Sequence, residues 1–409
     1  MKRTILVRLA ALALCGLSAA AARGAVPADT ASPSQRAIER AQQMIAAQPG
    51  QPAGYNELAL ALARRARETS DPAFYARAHE AVERSLALAP DNTGALRART
   101  WALLGQHDFA AALTLATRLN KQAPDDVLVY GFLTDANAEL GNYAEAEKAC
   151  QWMLDIRPGN LPALTRAAYL RELFGDVTGA LMLMNDALGQ VAPSESEDRA
   201  WILTQIGHLH TQEGRYDEAE RFLQQALTVF PAYHYALGQL ARLRGAQGRW
   251  AEAVELFQQR QQGAPHPENL YELAEALQHA GRKAEAKAAF ARFEEGARRE
   301  SAGTDNANRE LVYYYADHAK RPAEALRLAE AEAARRHDVY TLAAHAWALH
   351  VSGRHAEARK QMEAALAVGV RDPKLFANAR AIAEKAGDRE GAARYRRELA
   401  GPTRPVASR

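Results

Sequence analysis

One residue recurs along this chain with a near-constant period. Ala78, Ala112, Ala146, Ala180, Ala219, Ala253, Ala286, Ala325, Ala358 and Ala392 follow one another at gaps of 34, 34, 34, 39, 34, 33, 39, 33 and 34 residues. Alanine is common here, so a single match means little, but ten in register do not arise by composition. A period of this length points to one supersecondary unit stacked many times, each unit unable to bury its apolar face alone. It therefore replaces the three or so globular domains that length alone suggests. Glycine (26) and proline (17) are too few for a low-complexity or collagen-like chain.

The residues around each alanine have separable causes. A glycine precedes it by five positions in Gly141-Asn142-Tyr143-Ala144-Glu145-Ala146, and again at Gly175, Gly214, Gly248, Gly281, Gly353 and Gly387. Glycine there ends a first helix in the left-handed conformation that side chains resist. The aromatics Phe109, Tyr143, Tyr216 and Trp250 open a second helix. Pro90, Pro124, Pro158, Pro231 and Pro265 stop it. Apolar residues at helical spacing, such as Ala219, Leu223, Ala226 and Leu227, run between these marks. The alanine itself belongs where the two helices approach most closely, because a larger side chain would overpack the pair.

These features resemble the tetratricopeptide repeat, a helix-turn-helix family. The resemblance covers about Pro33 to Ala400 and implies an all-α, right-handed α-solenoid. About nine repeats are expected, with a half-unit around Gln35 to Gln48 before them and a capping helix at Asp388 to Leu399. Extra residues fall between the helices of the first unit, around Glu68 to Asp71. Others fall near Glu195 to Asp198 and Glu300 to Ala307, which read as exposed connections. Lys320-Arg321-Pro322 replaces the glycine turn before Ala325 and leaves that unit's register open.

The termini read differently. Lys2, Arg3 and Arg8 precede the apolar run Leu9 to Leu14 and the small residues Ala20-Ala21-Ala22, the order of a secretory signal peptide. We expect a signal over 1–22 cleaved after Ala22 (Gly24 being the alternative), a flexible lead-in over 23–32, the solenoid over 33–400 and a disordered tail over 401–409. Lipidation at Cys15 is disfavoured by the bulk of Leu14 directly before it, and the apolar run is too short for a membrane span. The mature chain would reside in the periplasm or be secreted, with no transmembrane helix. Cys150, then the sole cysteine, reads as a small buried hydrophobe.

No catalytic motif is found: no phosphate-binding glycine loop, no paired-cysteine metal site, no nucleophile elbow. No cofactor is implied. His208 and His210 lie two apart on a helix and face different ways, and His345, His350 and His355 are spaced by five, which suits no ligand pair. The near-balanced charge, 51 basic against 49 acidic side chains, argues against nucleic acid as partner. Arg64-Arg65, Arg298-Arg299, Arg335-Arg336 and Arg396-Arg397 have acids close by and read as exposed helix ends. Val312-Tyr313-Tyr314-Tyr315 cannot all face inward on one helix, so one tyrosine marks a contact site or caps the neighbouring loop.

The resemblance implies a concave surface lined by the first helix of each unit, used in that family to bind peptides or protein segments. The register places Arg97, Trp101, Asp135, Arg166, Tyr169, Trp201, Gln205, His208, Tyr235, Gln239, Arg242, Tyr271 and Glu275 there. Some family members grip a partner's C-terminal carboxylate with lysines and asparagines. The matching positions here hold Asn56, Leu60, Arg97 and Trp101, so that clamp is not implied. The expected function is a non-catalytic scaffold of the bacterial cell envelope holding a protein or peptide in this groove. A polysaccharide-binding or export accessory is the alternative, and an enzyme with a groove site is a remote third.

Overall fold

The computed structural model describes residues 31–400, so the expected signal, nearly all of the lead-in and the expected tail lie outside the described residues. Ser32, assigned above to the lead-in, belongs to the fold. Its side chain caps helix α1 (Pro33–Ala47) by accepting from the Gln35 amide, while Gln35 answers in a reciprocal capping box.

Ten helical hairpins follow α1 among the described residues. They are α2 and α3 (Pro52–Thr69, Ala73–Leu88), α4 and α5 (Thr93–Gly105, Phe109–Gln122), α6 and α7 (Val127–Leu140, Tyr143–Ile156), and α8 and α9 (Leu161–Leu173, Val177–Gln190). Next come α10 and α11 (Ser196–Gln212, Tyr216–Val229), α12 and α13 (His234–Ala246, Trp250–Gly263), and α14 and α15 (Pro267–His279, Lys283–Glu300). The last three are α16 and α17 (Asn308–Tyr313, Pro322–Ala333), α18 and α19 (Val339–Val351, His355–Leu366), and α20 and α21 (Pro373–Lys385, Arg389–Ala400). The expected capping helix is α21, which pairs with α20, so the units number ten where about nine were expected.

All ten periodic alanines are buried, most of them completely. The seven glycines five positions earlier all have positive φ, between 69° and 84°. Of the three units that lack this glycine, two put His107 (φ 56°) and Lys320 (φ 55°) at the same position, and the first hairpin turns at Ser70 (φ 55°) instead. The register around Ala325 is therefore kept, with a lysine accepting the left-handed strain. Just before it, α16 continues into a π-turn over Tyr314–His318. Tyr313 and Tyr315 are buried, and the half-buried Tyr314 packs against Phe290 and Phe293. The Tyr314 and Tyr315 hydroxyls both donate to Glu294.

Successive first helices touch one another, α2 with α4, α4 with α6, α6 with α8, α10 with α12, α16 with α18 and α18 with α20. They form the inner layer of the solenoid, and the second helices form the outer layer. The superhelix then meets itself. The turn inside each early hairpin docks on the loop between two hairpins about five units later. Thr304 donates to the Gln106 carbonyl (2.9 Å) and Asp305 lies 3.3 Å from His107. One unit on, the His337 amide donates to the Leu140 carbonyl (3.1 Å) and the Val339 amide to the Tyr143 hydroxyl (2.8 Å). One further on, Gly175 and Phe174 abut Gly369 so closely that a Cβ on Gly175 would stand 2.5 Å from the Gly369 carbonyl oxygen.

The first hairpin completes this seam. Helix α2 has 18 residues and α10 has 17, against 13 or 14 in the other first helices from α4 to α14. The residues expected around Glu68 to Asp71 as an insertion between helices instead lengthen α2. Those at Glu195 to Asp198, expected as an exposed connection, form the start of α10. The two added turns face each other. Arg64 bonds Glu195 (2.6 Å) and Asp198 (3.1 Å), and Arg67 bonds Asp198 (2.8 Å) and Glu197. Glu197 is fully buried and also accepts from Tyr233 at 2.5 Å. Arg64 is thus no solvated helix end. The 300–307 segment is likewise only partly exposed, with Ala307 fully buried. No described helix is long and apolar enough to cross a membrane.

Candidate functional site: the inner face of the first helices

The thirteen register-derived residues lie on the first helices. Several of them bond to the next first helix along. Arg166 on α8 donates to Asp135 on α6 (2.5 Å) and to the Gly131 carbonyl (3.1 Å). Gly131 eases the approach, since a Cβ there would sit 3.1 Å from the guanidinium carbon, closer than ordinary contact. Tyr169 donates to Glu139 (3.1 Å), and His208 and Gln212 on α10 both reach Glu172 on α8 at 2.8 Å. Arg242 on α12 donates to Glu272 on α14 (2.7 Å), which also takes Arg260. Arg97 pairs with Asp126 at the start of α6, and Trp101 sets its edge against Phe132. The result is a polar ladder running along the inside of the solenoid.

Burial and charge set its electrostatics. Burial raises the Asp135 carboxyl above its ordinary range in spite of Arg166. Burial and the nearby Asp338 charge raise Glu139 too. At Glu172 burial works the same way, but the hydrogen bond and charge of His208 with the Gln212 amide outweigh it and the carboxyl falls below its usual range. Glu272 is lowered against burial by Arg242 and Arg260. Glu275 is lowered against burial by His318, Lys374 and Tyr271.

Twelve of the thirteen keep solvent access; Tyr271 does not. Its ring lies in the core against Phe290 and Phe293, and only its hydroxyl joins the inner face, donating to Glu275 at 2.9 Å. Trp201 is half-buried between two core clusters. Tyr235 packs on His234, ring centres 4.0 Å apart. Gln205 and Gln239 are half-exposed. His210 stacks on Phe222 away from His208, and the His350 and His355 rings lie 4.9 Å apart. Cys150 is buried and free, and burial pushes its thiol up to about 11. Asn56, at the clamp position, is tied to Asn92 and Ser85.

The inner face also continues beyond the register-derived set. Arg309 lies over the Tyr340 ring, Lys374 over the Tyr313 ring at 4.3 Å, and Trp347 donates to Asp317 at 2.8 Å. A signal for these was present. Trp201 and Tyr235 each stand eighteen positions before their periodic alanine, and the same count in later units lands on Glu268, Tyr340 and Lys374.

A family model described as tetratricopeptide repeat matches residues 210–266, from the end of α10 to the loop before α14. No curated protein matches the chain. Among solved structures, a human IFIT1 dimer with m7Gppp-AAAA aligns with 89% of this chain and 84% of its own at 11% identity and a TM-score of 0.53. A monomeric IFIT1 mutant with Gppp-AAAA aligns with 90% and 86%, also at 11% and 0.53. The Cut9–Hcn1 hetero-tetramer of the APC/C aligns with 80% of this chain at 13% identity and a TM-score of 0.49, and this chain spans about half (55%) of that one. At such identities the likeness is one of fold. Periodic alanines, left-handed turns, stacked hairpins and the matched repeat lead to one assignment: the chain folds as an α-solenoid of tetratricopeptide-type helical hairpins.

Proposed function

We propose that this protein is a non-catalytic scaffold, exported through its N-terminal signal into the bacterial cell envelope, that holds a segment of a partner protein against the inner face of its first helices. The observation that carries the reading is the half-exposed set on that face. Trp101, Tyr169, Trp201 and Tyr235 stand among Arg166, His208 and Arg242, each already fixed by a neighbour and still open to solvent. Aromatics and arginines held in place lose little side-chain entropy on binding, which is why they dominate binding hot spots. Export is supported by the basic, apolar and small-residue order of residues 2–22.

The test is site-specific photo-crosslinking in the native envelope. A crosslinker replaces Gln205, which is half-exposed on α10, with the exposed Gln225 on the outer helix α11 as control. A discrete protein adduct from position 205 alone is expected. Equal adducts from both positions, or none, would contradict the reading.

A further inference from the structure

The seam encloses the inner face. Over the second, third and fourth hairpins the turns at Gln106, Leu140 and Gly175 rest on Thr304, His337 and Gly369 of the following superhelical turn. The groove between successive turns is shut there, and the first helices line a bore. Farther along, Lys374 of α20 reaches the Tyr313 ring of α16, two hairpins back, at 4.3 Å. Titration behaviour agrees with enclosure. Asp135 keeps 35% of its side-chain surface open, yet burial still raises its carboxyl. Glu268, also 35% open, is raised by burial first and by Glu310 second. Side chains that are open to solvent and still pay for burial face a narrow space.

The charges lining this space do not balance. Four arginines of the first helices are each met by an acid: Arg97 by Asp126, Arg166 by Asp135, Arg242 by Glu272 and Arg309 by Glu310. Five further acids on the same face, all half-buried, have no arginine or lysine within ion-pair distance among the described residues. Glu139 takes the Tyr169 hydroxyl, and Glu172 takes His208 and Gln212. Glu268 lies 3.9 Å from His266, while Glu275 takes Tyr271 and lies 3.6 Å from His318. Asp317 accepts from Trp347. Only Lys374, over its tyrosine, and Arg260, which shares Glu272, stand against these five. Burial raises Glu139 and Asp317 as it raises Glu268, a penalty that an added positive charge would relieve.

Both features restrict the partner. A folded domain cannot enter a closed bore, and an internal loop would have to pass as a doubled strand. An extended chain entering by its end meets neither obstacle. Lysine or arginine on that chain would answer the five acids, and cations also lie favourably over aromatic faces. Trp101, Tyr169, Trp201 and Tyr235 offer such faces along the same wall.

We propose that the segment held on the inner face is an extended stretch rich in lysine or arginine, which enters the bore by a free chain end. The inference rests on the protein-binding reading given above and narrows it to one class of partner.

A short linear peptide of repeated Lys-Ala-Ser-Gly, its Glu-Ala-Ser-Gly counterpart and a head-to-tail cyclised form of the lysine peptide serve as probes. Each is offered to the purified chain carrying the photo-crosslinker at Gln205. Capture of the linear lysine peptide is expected, with the acidic and cyclic forms captured at least about tenfold less. No capture of the linear lysine peptide would overturn the proposal. Equal capture of the acidic peptide would overturn the basic assignment, and equal capture of the cyclic one would overturn entry by an end. The Glu139→Gln/Glu275→Gln double variant keeps acceptors for Tyr169 and Tyr271 and should lower capture about tenfold, as loss of two charge pairs implies. Undiminished capture by a double variant of unchanged melting would overturn the role of these acids. Should that variant fail to fold, salt replaces it: capture should fall between about 50 and about 500 mM salt, and a flat response would overturn the charge argument. In the native envelope, an adduct at 205 whose crosslinked segment is acidic or lies within a folded domain would overturn this inference and leave the protein-binding reading standing. Absence of any adduct would overturn both.

Discussion

The stretch from α4 to α9 and the pair of long helices α2 and α10 are built from the same unit and do different work. From α4 to α9 the period is 34, the helices have 13 or 14 residues, and bonds run from one unit to the next. In α2 and α10 an added turn projects toward a helix some 130 positions away, and Arg64 and Arg67 meet Glu195, Glu197 and Asp198 there. The second gap of 39 residues, before Ala325, supplies Thr304 and Asp305 to the same seam. The regular period specifies stacking. Both long gaps add residues to the closure, and the turns at Gln106, Leu140 and Gly175 of the regular stretch join it.

The comparison breaks first at Glu197. It is fully buried, takes Arg67 and Tyr233, and cannot be removed without leaving the buried Tyr233 hydroxyl unpaired and Arg67 with Asp198 alone. Glu197→Ala should cost about 3–5 kcal/mol by urea denaturation. Asp135→Ala, a half-exposed ladder acid on the regular stretch, should cost about 1 kcal/mol or less. Equal losses would mean that the seam is not special.

Within the regular packing, Ala219→Phe should cost about 1–3 kcal/mol by overpacking. Ala219 is fully buried where Gly207 of α10 crosses α11. Gly207 lies nine residues beyond the seam acid Asp198 on α10, so hydrogen exchange at 301–307 should be unchanged once global stability is corrected for. Faster exchange confined to that loop would contradict the separation.

Two glycines sharpen the point. Gly141 and Gly214 occupy the same left-handed turn position, φ 84° and 69°, and either change to alanine should cost about 1–2 kcal/mol in backbone strain. A Cβ at Gly214 meets nothing, whereas at Gly141 it would stand 2.5 Å from the His337 carbonyl. Only Gly141→Ala should expose the amides of 337–339 to faster exchange.

The smallest effect is in pH. Burial disfavours charge at His107, but the hydrogen bond and charge of Asp305, with Glu268 and Glu139, prevail and raise its pKa. Its contribution is therefore complete below about 6.5, the unfolded value, and is lost as pH rises through the raised folded value. Exchange at 304–305 should quicken from pH 6 to pH 8 beyond the intrinsic increase, and His107→Gln should abolish that excess.

Much of this was legible because the repeat encodes it locally. A buried alanine, a left-handed glycine and an aromatic at the start of the second helix each answer to neighbours within one hairpin, and all appear where the period put them. Lys320 shows where local rules lose. Buried Tyr313, Tyr315 and Ala325 hold that hairpin together, and the lysine takes the strained conformation that glycine would take freely. The seam was hidden for a different reason. Arg64 and Arg65 have acids near them in sequence and so read as an exposed helix end, and nothing local shows that the partners of Arg64 and Arg67 lie on another superhelical turn. On the inner face the register found Arg166, His208 and Arg242. It did not separate side chains that line the surface from Tyr271, whose ring completes the core.

Closure of the superhelix is the central claim, and a distance across the seam tests it most directly. Ala110 and Ala334 are exposed residues flanking the cross-turn contact of Phe109 with Arg336. Spin labels at A110C and A334C report it by pulsed electron paramagnetic resonance, while the buried Cys150, its thiol pushed up to about 11, resists labelling. A short, narrow distance distribution that broadens and lengthens on Glu197→Ala is the predicted result. A long, broad distribution in the parent protein would mean that the solenoid is open, and would contradict the account.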